Sequence, residues 1–348
     1  MLKENVTIVI PTYERQIVSR AVNYYVEWDV PLIVCDSSVK PLHVNVSDNL
    51  VYLHTPEKSF SQKLYAALCL VSTPYCCIAS DDDFLSYSGI MGGIDFLDNN
   101  PEYVSVQGHY IEFTKHANDV YYNVRYGVDI GHHNDCATPS ERVIRAFNPY
   151  VQHFYSLHQT PVLKQSLNLA RNLKSLIHAE LSTALVGMIY GKHRMLPLFW
   201  MARDTFRHMS YSNNNTGNNN SSVIWGVDGW KSYLFSSEAK FHKILFAKEY
   251  SEITGKSLQT GTDVFEQAFS AWLRFLSDKP KTQLSWKDVL KKIIPELVLE
   301  GRQKIVDSPV KLQNKSMHIY QNTPGFPWTD IHANADWQKM KAAILNFS

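Results

Sequence analysis

The chain has 348 residues, of which 45% are hydrophobic and 19% are charged, as in a globular protein with a large core. Its formal net charge of +1 excludes binding of nucleic acid through overall positive charge, so we expect no nucleic-acid partner. No apolar run approaches the roughly 18 residues that span a bilayer, and no signal peptide is predicted. These totals favour one large α/β domain with an appendage, or two modest domains.

The cysteines indicate a reducing environment. They number five, form no Cys-x-x-Cys pair, and three of them lie within apolar runs. A cysteine in such a run usually behaves as a small buried hydrophobe. We therefore expect a cytoplasmic protein.

The first third of the chain alternates short β-rich runs with helical patterns, which is typical of βαβ units on a largely parallel sheet. The expected strands cover residues 6–10, 32–35, 51–53 and 75–79, and Pro11 is expected to stop the first. A helical stripe covers 15–26. Ser59 and Gln62 form a capping box that opens a second helix, which Pro74 ends.

The later elements follow from the same patterns. A strand is predicted over 103–106, and a hairpin is predicted from 110–113 and 121–126. Thr138 starts a helix that has both a capping box and a proline at its first position. Further helices are predicted over 88–97, 162–176, 179–190, 264–276, 286–305 and 336–345. The asparagine-rich segment 212–222 is interpreted as a mobile loop, either a lid over a bound ligand or a linker.

Three consecutive aspartates, Asp81, Asp82 and Asp83, follow the apolar fourth strand. Side chains at the carboxyl end of a parallel strand project into the crevice where open α/β sheets bind ligands. A divalent cation relieves the repulsion between adjacent carboxylates, and Mg²⁺ or Mn²⁺ prefers such oxygen ligands together with substrate phosphates and water. The alternatives are a solvated acidic turn and a cap for the next helix. The position after an apolar strand favours a functional site.

Two more polar loops follow the first and second strands, over 11–15 and 36–38. An aromatic ring, an acid and small hydroxyls at neighbouring strand ends suit a nucleoside. Ordinary strand-to-helix turn chemistry is the alternative for each loop taken alone. Because all three loops end parallel strands, we expect them at one edge of the sheet.

Together these segments resemble the bacterial family-2-type glycosyltransferases, most clearly over residues 5–113. The segments that carry the resemblance are Thr7-Ile8-Val9-Ile10-Pro11-Thr12-Tyr13-Glu14-Arg15, Asp36-Ser37-Ser38, and Thr73-Pro74-Tyr75 leading into Ser80-Asp81-Asp82-Asp83-Phe84. The resemblance implies a GT-A fold, which is a Rossmann-like, mostly parallel α/β sheet flanked by helices, with a helical C-terminal appendage. The expected parts are a catalytic domain over 1–240, divided into a donor part (1–113) and an acceptor part (114–240), and a helical region over 241–348.

The resemblance also implies a nucleotide-diphosphate sugar as donor, most simply a UDP-sugar, with Mn²⁺ or Mg²⁺ on its diphosphate. The residues that it places at the nucleoside are Pro11, Thr12, Tyr13, Glu14, Arg15, Asp36 and Ser37. It assigns Asp81 and Asp82 to the donor sugar, and Asp83 with Asp81 to the metal. Lys63 stands near where the family often has an arginine, and it is expected to reach the diphosphate.

A general base and an extra metal ligand are implied further along the chain. Glu180 matches the carboxylate that, in inverting members, takes the proton of the acceptor hydroxyl from the start of a helix. A first-turn acid favoured by the helix dipole is the alternative. His208 is the expected additional metal ligand, although a lone histidine is more often structural. The implied acceptor is a carbohydrate or lipid-linked glycan of a growing surface polysaccharide or oligosaccharide.

Two other functions stay open. A sugar-phosphate nucleotidyltransferase shares the sheet and the metal aspartates, but it should show a glycine-rich basic loop after the first strand, which 12–15 is not. A non-catalytic nucleotide-sugar-binding protein on the same scaffold is the other. The absence of Gly-x-Gly-x-x-Gly after the first strand argues against a dinucleotide enzyme.

The segment 286–305 raises the question of a membrane or subunit contact. It carries Lys287, Lys291 and Lys292, which suit docking at the anionic inner face of a membrane. The alternatives are a helical cap on the core and a contact in a homo-oligomer.

Overall fold

The computed structural model describes residues 2–45, 47–116, 119–125, 133–150, 152–204, 236–278, 331 and 334–347. The strands are β1 (Val6–Thr12), β2 (Leu32–Asp36), β3 (Leu50–His54), β4 (Tyr75–Ile78), β5 (Phe84–Leu85), β6 (Tyr103–His116), β7 (Asp119–Arg125), β8 (Leu157–Gln159) and β9 (Lys192–Asp204). The helices are α1 (Leu2–Asn5), α2 (Val18–Val26), α3 (Phe60–Leu68), α4 (Tyr87–Asn99), α5 (Pro139–Ala146), α6 (Thr160–Ala170), α7 (Leu176–Tyr190), α8 (Ser237–Thr254), α9 (Leu258–Asp278) and α10 (Ala335–Asn346).

The described strands form a single sheet in the order β3-β2-β1-β4-β8-β6-β9-β5, with β7 beside β6. Strands β1, β2, β3 and β4 pair in parallel, and β8 then runs antiparallel between β4 and β6. Because β6 and β9 run parallel to each other, six strands point the same way and only β5, β7 and β8 oppose them. The mostly parallel α/β sheet expected from the sequence is confirmed. Its six parallel strands end at one edge.

Helices cover both faces of the sheet, as the alternation of side chains along β1 shows. Ile8 and Ile10 face one core cluster, which includes residues of α2, α4 and α10. Val9 faces another cluster, built with residues of α3 and α6. A strand buried on both faces has a near-continuous apolar sequence, and residues 6–10 are apolar except for Thr7.

The first strand is longer than expected, because Pro11 does not stop it. β1 continues through Thr12, and Pro11 pairs in register with Cys35 of β2. On the other side, pairing with β4 ends at Val9 and Ile78, so Pro11 lies beyond the last ladder position there. A proline without an N–H is tolerated at such a place.

Capping signals in the sequence set helix starts correctly. Ser59 and Thr138 each accept a hydrogen bond from the third residue of their helix, and Gln62 and Glu141 complete the two capping boxes. By contrast, the helix expected over 162–176 spans Thr160–Ala170, and the one expected from 179 begins at Leu176. The predicted hairpin forms, but its first strand is continuous with the strand expected over 103–106.

The helices after residue 236 pack in two different core clusters. Residues of α8 and α9 share a core cluster with α5 and α7. By contrast, α10 places Trp337, Met340 and Ile344 in the cluster that contains Val6 of β1.

The helices expected over 264–276 and 336–345 are confirmed, and the predictions for 212–222 and 286–305 lie outside the described residues. The proposed domain boundary stays a prediction. Within the described ranges, no helix is long and apolar enough to cross a membrane.

Candidate functional site at the carboxyl edge of the sheet

The aspartate triplet lies in the turn between β4 and β5 and is almost fully buried. Asp81, Asp82 and Asp83 are 3%, 2% and 0% exposed. Carboxylates removed from water in this way need hydrogen bonds or opposite charges. Ser80 supplies one of these, since its hydroxyl donates to Asp82 Oδ1 at 2.6 Å. The triplet is therefore not the solvated acidic turn that was the alternative reading.

The loop after β1 supplies partners for the first two aspartates. Thr12 Oγ1 donates to Asp81 Oδ2 at 2.8 Å. The Arg15 guanidinium bridges two carboxylates, with one nitrogen 2.7 Å from Asp81 Oδ1 and another 2.5 Å from Asp82 Oδ2. Two of the loops predicted to share one edge are thereby in direct contact.

The end of β9 supplies partners for the third aspartate. The backbone N–H of Asp204 donates to Asp83 Oδ1 at 2.9 Å, and Arg203 Nε lies 3.4 Å from Asp83 Oδ2. Arg203 is itself fixed, since it donates to Gln152 Oε1 at 3.0 Å and lies 5.2 Å from the centre of the Tyr155 ring. The site thus joins the ends of β1, β4 and β9.

The charge state of the triplet is sensitive to its surroundings. Burial and the neighbouring charge of Asp82 raise the pKa of Asp81 to about 7, against the lowering effect of Arg15. The same two causes raise the pKa of Asp83 to about 7, against Arg203. A further positive charge would favour the ionised forms of both groups.

The side chains present suit a hard divalent cation in their chemistry. Among the described residues, no group of three or more His, Cys, Asp and Glu side chains is placed to hold a metal ion. Mg²⁺ and Mn²⁺ commonly use only one or two protein carboxylates and take their other ligands from substrate phosphates and water. Asp83 Oδ2 is buried and accepts no hydrogen bond from the described part of the chain. Asp83 Oδ2 therefore suits a metal bound together with a phosphorylated ligand, whereas both oxygens of Asp81 are occupied by Thr12 and Arg15 in this structure.

Asp36, an expected nucleoside contact, shapes its own loop. Its Oδ1 accepts from the N–H and hydroxyl of Ser38, at 2.7 and 2.5 Å, and its Oδ2 accepts from Leu42 N and the Tyr52 hydroxyl. Although burial raises the pKa of Asp36, the hydrogen bonds from Ser38, Tyr52 and Leu42 hold it below its ordinary value. The four bonds occupy both carboxylate oxygens, so Asp36 orders the 36–42 loop.

The loop after β1 is tied to the same loop by Glu14. Its backbone N–H donates to Ser38 Oγ at 2.7 Å, and its Oε1 accepts from Val39 N at 2.7 Å. Glu14 has a φ of 52°, an uncommon conformation for a non-glycine residue. Tyr13, directly before it, is 38% exposed. An exposed aromatic ring on a fixed loop is suited to stacking on a base.

Lys63 lies beneath these loops, with only 2% of its surface exposed. Its Nζ donates to the Thr12 carbonyl oxygen and to Ser37 Oγ, the latter at 3.0 Å. Burial lowers the pKa of Lys63, and the charges of Asp81 and Asp36 oppose the shift. In this structure Lys63 links the first two strand ends, and its contact with a diphosphate stays a prediction.

Glu180 lies beyond the first turn of its helix. It is the fifth residue of α7 and is 5% exposed, and it accepts a hydrogen bond from the Tyr150 hydroxyl at 3.1 Å. Burial raises the pKa of Tyr155, and the charges of Asp83 and Glu180 both add to this shift. Tyr155 therefore lies within electrostatic range of both carboxylates. Both the base assignment and the helix-dipole alternative expected Glu180 at the start of a helix, and the structure places it beyond the first turn of α7.

Several residues at this edge were not expected from the sequence, among them Arg20, Gln152 and Tyr155. The charged pair Arg203-Asp204 could have been found from the sequence, because it follows an apolar run at the end of a strand, as the triplet does. His208, the expected extra metal ligand, lies outside the described residues.

Comparison with protein-family models and with curated proteins gives no match. Among solved structures, the chain is similar to S. aureus TarS, with 11% identity and a TM-score of 0.40 over 80% of this chain and 56% of that one. It matches TarS 1–349 in complex with UDP at 11% identity and a TM-score of 0.41, over 80% and 92% of the two chains. The complex with UDP-GlcNAc matches at 14% identity and 0.40, over 79% and 80%. The chain spans just over half of the first of these structures. Likeness at this level assigns no activity to the chain.

Proposed function

We propose that this chain is a metal-dependent glycosyltransferase that moves a sugar from a nucleotide-diphosphate donor, a UDP-sugar, to a carbohydrate hydroxyl. The observation that carries the proposal is the buried triplet Asp81–Asp83, held by Thr12 and Arg15 on one side and by the Arg203-Asp204 pair on the other. Buried carboxylates gathered with arginines at the carboxyl edge of a parallel sheet suit a ligand that carries both phosphates and a cation.

The base and the diphosphate of such a donor have partners of suitable chemistry at this edge. Tyr13 offers an exposed ring for the base. Arg15, 21% exposed on its side chain, is the cation of this loop with a path to solvent, and a guanidinium fork binds phosphate oxygens well. A nucleotide diphosphate would thereby replace part of the carboxylate interaction that now holds Arg15. Asp81 and Asp82 would then be released to meet the donor.

The chemistry divides between the metal and the chain's own side chains. Asp83 and Asp81 would hold a Mn²⁺ or Mg²⁺ ion, which would neutralise the charge of the leaving diphosphate. Glu180 accepts the proton of the attacking hydroxyl, and its hydrogen bond from Tyr150 fixes the direction of the carboxylate. Burial at 5% exposure protects this carboxylate from bulk water. The transfer then proceeds with inversion.

The remaining features of the proposal rest on the sequence. The resemblance implies an acceptor that is a carbohydrate or lipid-linked glycan and a role in surface polysaccharide or oligosaccharide synthesis. The cysteine pattern implies a cytoplasmic location, and the lysines of 286–305 suit the inner membrane face, with a homo-oligomer contact as the alternative for that segment. His208 is proposed as an added metal ligand.

A thermal-shift screen with Mn²⁺ tests the donor site directly. UDP-, GDP-, CMP- and dTDP-sugars are compared on the wild type, on Asp83→Asn and on Asp98→Asn. Asp98 is the control for a carboxylate outside the triplet, because it lies exposed on α4 and accepts a hydrogen bond from the Tyr75 hydroxyl of β4. A donor at one hundred times its dissociation constant adds about 2.7 kcal/mol of apparent stability, which gives a visible shift.

A metal-dependent shift with UDP-sugars, retained in Asp98→Asn and lost in Asp83→Asn, supports the proposal. Sugar release from the same donor into a glycan acceptor then separates an enzyme from a binding protein. Formation of a nucleotide-sugar from a sugar phosphate and UTP would instead identify a nucleotidyltransferase. No shift with any donor and either metal would contradict the proposed site.

A further inference from the structure

Arg20 is a buried arginine that touches two separate parts of the site. It lies on α2, is 4% exposed, and donates to the backbone carbonyl oxygen of Asp82 at 2.6 Å. The same guanidinium nitrogen lies 3.3 Å from Asp204 Oδ2. One side chain therefore connects the aspartate turn with the end of β9.

The guanidinium also lies near two aromatic rings, one directly after the aspartate turn and one on β6, the strand that pairs with β9. Its carbon is 4.9 Å from the centre of the Phe84 ring and 5.7 Å from that of Phe113. Phe84 directly follows the triplet, and Phe113 pairs in register with Asp204 between β6 and β9. The two rings therefore flank Arg20 beside the aspartate turn and beside the partner strand of the β9 end.

The position of Asp204 matters because its backbone N–H and its neighbour Arg203 are the groups that hold Asp83. A shift of the β9 end relative to the turn would move both partners of this carboxylate. Arg20 is too buried to meet a donor itself. We propose that Arg20 is a positioning residue of the donor and metal site, which fixes the distance between the aspartate turn and the end of β9. The predicted effect of Arg20 on ligand binding rests on the proposed function.

Lysine cannot take over this role, although it keeps the positive charge. Its ammonium group does not stack on rings as a planar guanidinium does, so the Phe84 and Phe113 rings would not hold it where one nitrogen of Arg20 now meets both acceptors. Arg20→Lys therefore separates geometry from charge. Arg142→Lys is the matched control, since Arg142 is also buried and donates to the carbonyl oxygens of Met188 and Ile189 at the end of α7.

The test measures UDP binding with Mn²⁺ by calorimetry and hydrogen exchange over residues 79–86 and 200–204. Arg20→Lys should weaken UDP affinity by about tenfold or more and speed exchange in both segments. Arg142→Lys should lower the melting temperature while UDP affinity and exchange over 79–86 stay as in the wild type. Wild-type UDP affinity and unchanged exchange in Arg20→Lys would overturn the assignment.

Two further comparisons keep the outcome clear. If Arg20→Lys does not fold, Phe113→Leu, which removes one ring and leaves Arg20 in place, should weaken binding in the same direction by a smaller factor. Unchanged binding and exchange in that variant would overturn the assignment. If the wild type binds no nucleotide, the proposed function fails, and the exchange rates over 79–86 alone decide the role of Arg20.

Discussion

The Thr12 hydroxyl, on the last residue of β1, donates a hydrogen bond to Asp81 Oδ2 at 2.8 Å. Both residues are buried, at 2% and 3% exposure. A buried hydrogen bond to a carboxylate contributes about 1.5–3 kcal/mol when the acceptor is charged. This bond therefore sets where the Asp81 side chain points as well as adding to stability.

Replacement of Thr12 by valine keeps the shape of the side chain and removes the donor. We expect the free energy of unfolding to fall by about 1–3 kcal/mol and UDP-sugar affinity with Mn²⁺ to fall as well. Thr7→Val is the control, because Thr7 is buried on the same strand and its hydroxyl bonds to Thr73 Oγ1 at 2.8 Å. Urea unfolding and donor titration measure both effects.

The control variant should lose stability and keep its donor affinity. Wild-type donor affinity in Thr12→Val would show that Thr12 has no part in the site. Loss of affinity in both would show that any weakening of β1 disturbs the edge.

The sequence allowed the sheet edge to be predicted because its signals are local. Apolar runs gave the strands, and the polar residues that follow them had to meet at the carboxyl edge of a parallel sheet. Thr12, Arg15 and Asp81 are in contact as this rule requires. The capping boxes at Ser59 and Thr138 are equally local.

What could not be predicted depends on contacts between distant parts of the chain. Asp83 and the Asp204 N–H that it binds are 121 residues apart. Arg20 lies in an amphipathic helix, where the sequence pattern alone predicts that an arginine faces solvent. Its burial depends on contacts with the distant end of β9. Asp36 has the residue type of a ribose partner, but its oxygens are taken by Ser38, Leu42 and Tyr52.

Glu180 should affect the chemical step more than donor binding if it is the base. Glu180→Gln keeps an oxygen for the hydrogen bond from Tyr150 and removes the proton acceptor. We expect kcat to fall by roughly 10²–10⁴-fold with little change in the dissociation constant of UDP. Steady-state rates of sugar transfer and calorimetric UDP binding measure the two quantities separately.

Glu249→Gln serves as the control for loss of a buried glutamate. Glu249 is 8% exposed on α8 and accepts hydrogen bonds from Gln165 and Tyr190. This variant should keep kcat. A similar fall in kcat for both variants would mean that Glu180 acts on stability alone, and an unchanged kcat in Glu180→Gln would move the base to another residue.

The stability of the protein should depend on pH through its buried histidines. Burial lowers the pKa of His158 from 6.5 to about 4, although its hydrogen bond to the His153 carbonyl opposes the shift. Between these values the unfolded chain binds more protons than the folded one, so this contribution to stability is lost as pH falls from 6.5 towards 4. The raised pKa values of Asp81 and Asp83 act in the opposite sense, since their contribution is lost as pH rises through about 7.

Comparison of the wild type with a His158 variant separates the pH dependence due to His158 from that due to Asp81 and Asp83. His158→Gln keeps a donor for the His153 carbonyl and does not titrate. The difference in unfolding free energy between wild type and variant should change by up to roughly 3 kcal/mol between pH 7.5 and pH 4, with the wild type losing more. Urea unfolding at several pH values measures this. Parallel pH curves for the two proteins would contradict the prediction.

The last helix should stabilise the core through one buried carboxylate. Asp336 Oδ2 accepts from Ser86 Oγ at 2.6 Å and from Ser88 N and Oγ at 2.8 and 2.7 Å, so it holds the start of α4 just after the aspartate turn. Asp336→Ala leaves these donors buried without the carboxylate, and we expect a loss of about 2–4 kcal/mol in the free energy of unfolding. Asp119→Ala removes an exposed ion pair between Asp119 of β7 and Lys341 of α10. This change should lower the free energy of unfolding by about 0–1 kcal/mol. Chemical unfolding of both variants under one set of conditions measures the contrast. Equal small losses would show that α10 is a peripheral addition rather than a part of the core that supports the site.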